Sequence, residues 1–177
     1  GAPSLRSEID ALRADAHRAL GTQQEFLKEL EADAKSADRL ALVARLYEEL
    51  GQLDKAAHAY RRASELEPSD LDLRLSLVRI LELTLDLAGA ERELAKLVRQ
   101  APRQLDLLLR YIDLLLAAGE RERALVEFDR ATRTFEQDPS ASFRLLELAE
   151  RLEEAERARR IEASLTGKAG LDRQHLV

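Results

Sequence analysis

The sequence predicts an all-α fold of paired helices, and three observations carry that prediction. The 177 residues hold only seven Gly and four Pro against 35% charged and 45% hydrophobic side chains, a balance that suits solvated helices. Apolar residues recur at three- and four-residue spacing through most of the chain. The chain also matches itself at a 34-residue interval, pairing Pro68 with Pro102, Ala56 with Ala90 and Ala124, Tyr60 with Leu94 and Phe128, and Ala63 with Leu97 and Ala131. Val43, Leu77 and Tyr111, then Ala44, Val78 and Ile112, then Tyr47, Leu81 and Leu115 keep the same register. An interval of this size marks stacked helical units, each burying the apolar face of its neighbour.

Taken in order, Leu5, Ile9, Leu12, Ala16 and Leu20 form a helical stripe that Gly21 ends, and Phe26, Leu27, Leu30 and Ala34 form a second. Residues 1–36 are therefore expected to be a divergent helical pair whose stripes cap the first regular unit. Three regular units follow at 37–70, 71–104 and 105–138. Ser36 or Asp38, and Ser69 or Asp70, are suitable N-caps for the helices that follow them. Gly51 and Gly119 separate two helices, where a left-handed backbone costs Gly nothing. Pro68 and Pro102 stop the second helix of their units. The second unit has Leu85 in the Gly position, with Gly89 four residues late; the third has Glu136 in the Pro position, and Pro139 suggests a longer exit turn.

One segment resists the helical assignment. Leu71, Leu73, Leu75 and Leu77, then Leu81, Leu83, Leu85 and Leu87, alternate with polar residues, the period-two pattern of a half-buried strand. The repeat register and the helix propensity of Leu overrule it, and in a helix those leucines cannot share one face. Beyond 138, Leu145, Leu148, Ala149 and Leu152, then Ala155, Ala158, Ile161, Ala163 and Leu165, make a degenerate fourth unit over 139–167. Its register stays open, because Glu153 to Glu156 offer no Gly for the turn. Thr166 to Gly170 is expected to end the last helix, leaving 168–177 as a tail or the start of another. The array amounts to about four helical pairs. The start at Gly1-Ala2-Pro3, without Met, suggests a processed segment with Gly1 as a cleavage scar.

The unit 37–70 carries Tyr47, Leu50, Gly51, Ala56, Tyr60, Ala63 and Pro68 in an order that resembles the tetratricopeptide repeat (TPR) family. The resemblance covers the three regular units best. It implies a right-handed α-solenoid of helix-turn-helix repeats, with the first helix of each unit lining a concave wall where protein partners bind.

Composition excludes several functions. Without Cys there is no disulfide, no Cys-ligated zinc and no thiol chemistry. A net charge of −6 argues against nucleic-acid and anionic-membrane partners, which need clustered cations. No apolar stretch approaches the length of a membrane span. His17, His58 and His175 are scattered, and no phosphate loop, nucleophile elbow or zinc motif is present. His58 lies four residues after Asp54, an exposed pairing rather than a dyad. The expectation is a non-enzymatic chain with no catalytic residue, cofactor or metal, placed in the cytoplasm or, alternatively, the periplasm.

On the wall that the resemblance implies, the partner-binding candidates are Ala41 and Arg45 of the first unit, Leu75, Arg79 and Leu83 of the second, and Leu109, Arg110, Asp113 and Leu116 of the third. Chaperone-binding members of the family clamp a terminal carboxylate with Lys and Asn. The matching positions here are Ala41, Arg45, Ser76, Asp106 and Arg110, so that clamp is mostly missing. Arg45, Arg79 and Arg110 beside leucines instead suit a peptide or helix with acidic and apolar side chains. The plain alternative pairs Arg45 with Glu48 or Glu49, Arg79 with Glu82, and Arg110 with Asp106 or Asp113, as Glu147 pairs with Arg151, along their own helices. The functional expectation is an interaction scaffold or adaptor. Its rivals are a self-assembling segment of a longer array, hence a homo-oligomer, and a regulatory arm of a larger protein.

Overall fold

The structure, a computed structural model, describes residues 5–174. Gly1 to Pro3, His175 and the last three positions of the expected tail lie outside the described residues. The described chain is all-α, with ten helices and no strand: α1 (Leu5–Leu20), α2 (Gln23–Ala32), α3 (Ala37–Glu49), α4 (Leu53–Leu66), α5 (Leu71–Leu83), α6 (Leu87–Gln100), α7 (Leu105–Ala117), α8 (Arg121–Thr134), α9 (Pro139–Arg151) and α10 (Ala155–Gln174). These are five helical pairs. Two compact units divide within α6, between Leu97 and Val98.

Every pair from α3 onward keeps the 34-residue interval at both helix starts: Ala37, Leu71, Leu105 and Pro139, then Leu53, Leu87, Arg121 and Ala155. The repeat columns form the core. Ala56, Ala90 and Ala124 are fully buried, as are Ala63, Leu97 and Ala131, and Tyr60, Leu94 and Phe128 fill the space beside them. Ala56, Ala90 and Ala124, with Ala63 and Ala131, let paired helices approach closely, while Leu97 and the third column carry the bulk. The fourth pair departs here, with Glu162 exposed in the column of Phe128.

The left-handed turn settles the register that the sequence leaves open. Gly51, Leu85, Gly119 and Glu153 stand 34 residues apart and have φ of 69°, 60°, 79° and 58°. Each donates its N–H to the carbonyl three residues back, and the next N–H reaches the carbonyl five residues before it: Leu85 to Glu82 at 3.0 Å and Asp86 to Leu81 at 2.9 Å, Glu153 to Glu150 and Glu154 to Ala149 both at 2.9 Å. The turn therefore forms with or without Gly, and Leu85 and Glu153 bear its strain of about 1–2 kcal/mol each. Gly89 is no displaced turn residue. It lies in the first turn of α6, where its N–H donates to Asp86 Oδ1 at 2.8 Å and an added Cβ would stand 2.3 Å from Asp86 Oδ2.

Three further expectations are corrected. The exit turn before α9 is no longer than the others, since four residues also precede α5 and α7; Pro139 is the first residue of α9, where its missing N–H is not needed, and Asp138 caps the helix through Ala141 N–H at 3.1 Å. α10 does not stop at Thr166 but continues through Gly167 and Gly170 to Gln174. In α1 the apolar stripe does not cap the first regular unit: Leu5, Leu12 and Leu20 are 72%, 70% and 74% exposed, while the buried residues are Asp10 and Ala14. Other caps match expectation, with Ser36 accepting from Arg39 N–H, and Asp70 from Asp72 and Leu73 N–H. The alternating leucines are helical except Leu85, which lies in the left-handed turn, and they split between faces, Leu77 and Leu81 buried, Leu83 and Leu85 exposed.

Asp10 is buried because Arg39 reaches it from α3. Arg39 Nε stands 2.7 Å from Asp10 Oδ2 and Nη2 3.2 Å from Oδ1, a forked pair in which the Asp10 side chain is 4% and the Arg39 side chain 13% exposed. Arg39 Nη1 also donates to Asp33 Oδ2 at 2.7 Å and to the Asp33 carbonyl at 3.1 Å, so one guanidinium ties α1, the α2–α3 connection and α3 together.

Candidate functional site

In the first unit, the first helices α3 and α5 carry five of the expected partner-binding residues. Ala41 is buried and offers no contact surface, which removes it from any binding face. Arg45 is exposed beside a cleft between α1 and α3, whose lining includes Asp38, Leu42 and Ala11. Leu75 is half-buried and Leu83 is 58% exposed. Arg79 is exposed, and its Nη2 donates to Glu48 Oε2 at 2.5 Å across to α3.

Glu48 joins three helices, because its other carboxylate oxygen accepts from Tyr60 Oη of α4 at 2.6 Å. Burial, and then the bond to this carboxylate, push the Tyr60 phenol well above its usual range. Tyr47 Oη likewise donates to Glu31, and burial followed by that bond raises its pKa to about 12.

The three arginines do not form one repeat column, and Arg79 does not pair along its own helix. Arg45 and Arg79 share a repeat column whose third member is Asp113; Arg110 sits one helical turn earlier, in the other unit. Glu49 is paired with Arg18 of α1, and Arg79 with Glu48 rather than Glu82. In the second unit Asp113 is paired with Arg151, which displaces the expected Glu147 partner, and Asp106 with Arg144 at 2.8 Å. Leu109, Arg110 and Leu116 are half-buried there, and Leu109 and Asp113 border a cleft between α7 and α9 with Glu147 and Leu148.

The offsets of these pairs are 31 residues for Arg18–Glu49 and Glu48–Arg79, and 38 for Asp106–Arg144 and Asp113–Arg151. A side chain on one first helix meets its equivalent on the next displaced by three residues backward or four forward, the two helical neighbours on one face. Within each unit, opposite charges occupy those positions. The sequence holds this signal at the repeat interval minus three or plus four, where a search along single helices cannot find it. Phe143 of α9, 57% exposed in the column of Ala41, Leu75 and Leu109, is a candidate that the sequence reading missed.

Among the described residues no group of three His, Asp or Glu side chains could hold a metal ion, and no helix is long and apolar enough to cross a membrane. His17 is half-buried in the first pair, its Nδ1 2.7 Å from Thr22 Oγ1 and its ring stacked on Phe26 with centroids 4.8 Å apart.

The tetratricopeptide repeat family matches residues 37–80, so this part of the chain carries that repeat. No curated protein matches the sequence. Among solved structures, the chain is similar to a MamA protein at TM-score 0.61 and 14% identity, covering 97% of this chain and 96% of that one. It is similar to MamA 41-end from Desulfovibrio magneticus RS-1 at TM-score 0.57 and 14% identity, covering 98% of each, and to MamA MSR-1 C2 at 0.54 and 16%, covering 97% and 99%. At such identities the likeness shows the fold: an all-α array of TPR-like helical pairs.

Proposed function

We propose that this chain is a non-enzymatic scaffold that binds a segment of a partner protein on the face carried by the first helices of its repeats. The observation that carries this reading is Leu83, exposed on α5 with half-buried Leu75 on the same helix and the arginines Arg45 and Arg79 on α3 and α5. An exposed leucine beside guanidinium groups suits a peptide or helix with apolar anchors and acidic side chains. The second unit offers the same residue types, with half-buried Leu109, Arg110 and Leu116 on α7 and exposed Phe143 on α9. Arg79 does double service in this reading, since its bond to Glu48 holds α5 against α3 and leaves it exposed on the binding side.

The test is affinity capture of partners from the source cell with wild-type chain, Leu83→Glu and Arg45→Glu/Arg79→Glu as baits. Circular dichroism establishes that the variants remain folded, and light scattering reports self-association. The reading expects both variants to lose the same partners. Unchanged recovery with Leu83→Glu removes this face from the account. Dissociation of a wild-type oligomer by that variant assigns the face to self-assembly instead.

A further inference from the structure

The second unit contains a cationic cleft that the first-helix face does not explain. It lies between the second helices α8 and α10 and is lined by Phe128, Asp129, Thr132, Arg133, Arg157 and Arg160. Arg157 is fully committed there. Its Nε and Nη2 hold the two oxygens of Asp129 at 2.8 and 2.9 Å, and its Nη1 donates to Glu154 at 2.7 Å. Glu154 in turn accepts from Arg121 at 2.8 Å, so two arginines and two carboxylates balance one another.

Arg133 and Arg160 remain in excess. Both are exposed, and neither is paired with a carboxylate among the described residues. They reach Asp129 only through its field, where with Arg157 they hold its carboxyl below the usual range. Two guanidinium groups turned toward one cleft repel each other, and their exposure means that packing does not require them. An anion received between them would offset that repulsion. The net charge of −6 disfavours a long phosphate backbone, whereas a short acidic peptide brings only the few charges that the cleft can match.

We propose that the cleft between α8 and α10 docks an acidic peptide segment of a partner protein, with Arg133 and Arg160 each gripping a carboxylate. Guanidinium groups bind carboxylates in bidentate fashion, and Thr132 offers its hydroxyl oxygen as an acceptor for a peptide N–H. Arg157 and Asp129 act as the rigid frame: their forked bond fixes α10 against α8 and sets the spacing of the two free grips.

The test uses the full chain and fluorescein-labelled octaglutamate at low ionic strength, read by anisotropy, with NMR of arginine side chains to locate the contact. Saturable binding is expected, with shifts at Arg133 and Arg160. Arg133→Glu/Arg160→Glu should weaken it at least about tenfold, and Arg133→Gln/Arg160→Gln less but in the same direction. The control Arg62→Glu/Arg99→Glu alters net charge equally at exposed positions outside the cleft lining, and should stay within about twofold after correction for screening. Equal loss in test and control variants, or absence of binding, overturns the proposal. So does a labelled thymidine oligonucleotide that binds as tightly, or inorganic phosphate that displaces the peptide at an equal concentration of charge, since either makes the cleft a general anion site.

Discussion

Replacing Arg39 tests whether one buried ion pair secures the first helical pair. Asp10 is 3% exposed, and its two oxygens accept from Nε and Nη2 of Arg39 at 2.7 and 3.2 Å. Arg39→Met keeps the apolar stem and removes the charge, leaving a carboxylate at the α1–α3 contact without its partner. Stranding a buried ion in this way costs about 3–5 kcal/mol, and the lost bonds from Arg39 to Asp33 add little, because the Asp33 side chain is half-exposed. Asp10→Asn retains an acceptor and should cost less, about 1–2 kcal/mol. In Arg39→Met/Asp10→Leu neither charge is buried, and stability should return to within about 1 kcal/mol of wild type. Urea unfolding followed by circular dichroism measures all four proteins, with hydrogen exchange of α1 amides showing where protection is lost. A loss below about 1 kcal/mol in Arg39→Met, or a double variant no more stable than Arg39→Met, would refute the reasoning.

Three further outcomes follow from the turns and the charges. Leu85→Gly and Glu153→Gly relieve left-handed strain at exposed positions, and after the extra unfolded-state freedom of Gly each should raise stability by about 0.5–1 kcal/mol. Gly51→Ala should lower it by about 1 kcal/mol through strain alone, since no atom lies within 4 Å of the added Cβ; thermal melts of the three proteins decide the signs. The hydrogen bond from Arg157 holds Asp129 below the usual carboxylate range, so its contribution is present above the unfolded pKa of about 3.9 and is lost as pH falls through the lower folded value. Asp129→Asn should therefore flatten the acid limb of a stability profile recorded from neutral pH downward, and an unchanged slope would show that this pair is not linked to folding.

The repeat core was legible because each column has one physical demand that recurs every 34 residues, a small side chain where helices cross and a large one beside it, and because Ser36 and Asp70 cap α3 and α5. Leu85 and Glu153 were illegible for the opposite reason. Their column demands a backbone conformation, hydrogen bonds within the turn enforce it, and the side chain is free to depart from Gly at a tolerable strain. Pro139 was misread because a missing N–H serves equally to end one helix or to begin the next. The stripe on α1 misled because apolar spacing shows that a helix has two faces without showing which one is covered; there Arg39 buries a carboxylate while leucines face solvent. The candidate site was legible in residue types and much less in partnerships, since Arg79, Asp106 and Asp113 find their partners one repeat away.

The charge pairs at 31- and 38-residue offsets give each unit a form of address. Apolar columns are nearly interchangeable, so a core alone would accept its helical pairs in any order. Glu48 can meet a cation only if the following pair carries one at the Arg79 position, and Arg151 can meet an anion only if the preceding pair supplies Asp113. A duplication that copied the 37–70 pair onto itself would place Arg79's equivalent, Arg45, at the position facing Glu48 and preserve the match, whereas moving the 105–138 pair there would set Asp113 against a carboxylate. Which pair follows which is thus written in surface charge, and recombination among repeats would be filtered by electrostatics before packing was tested.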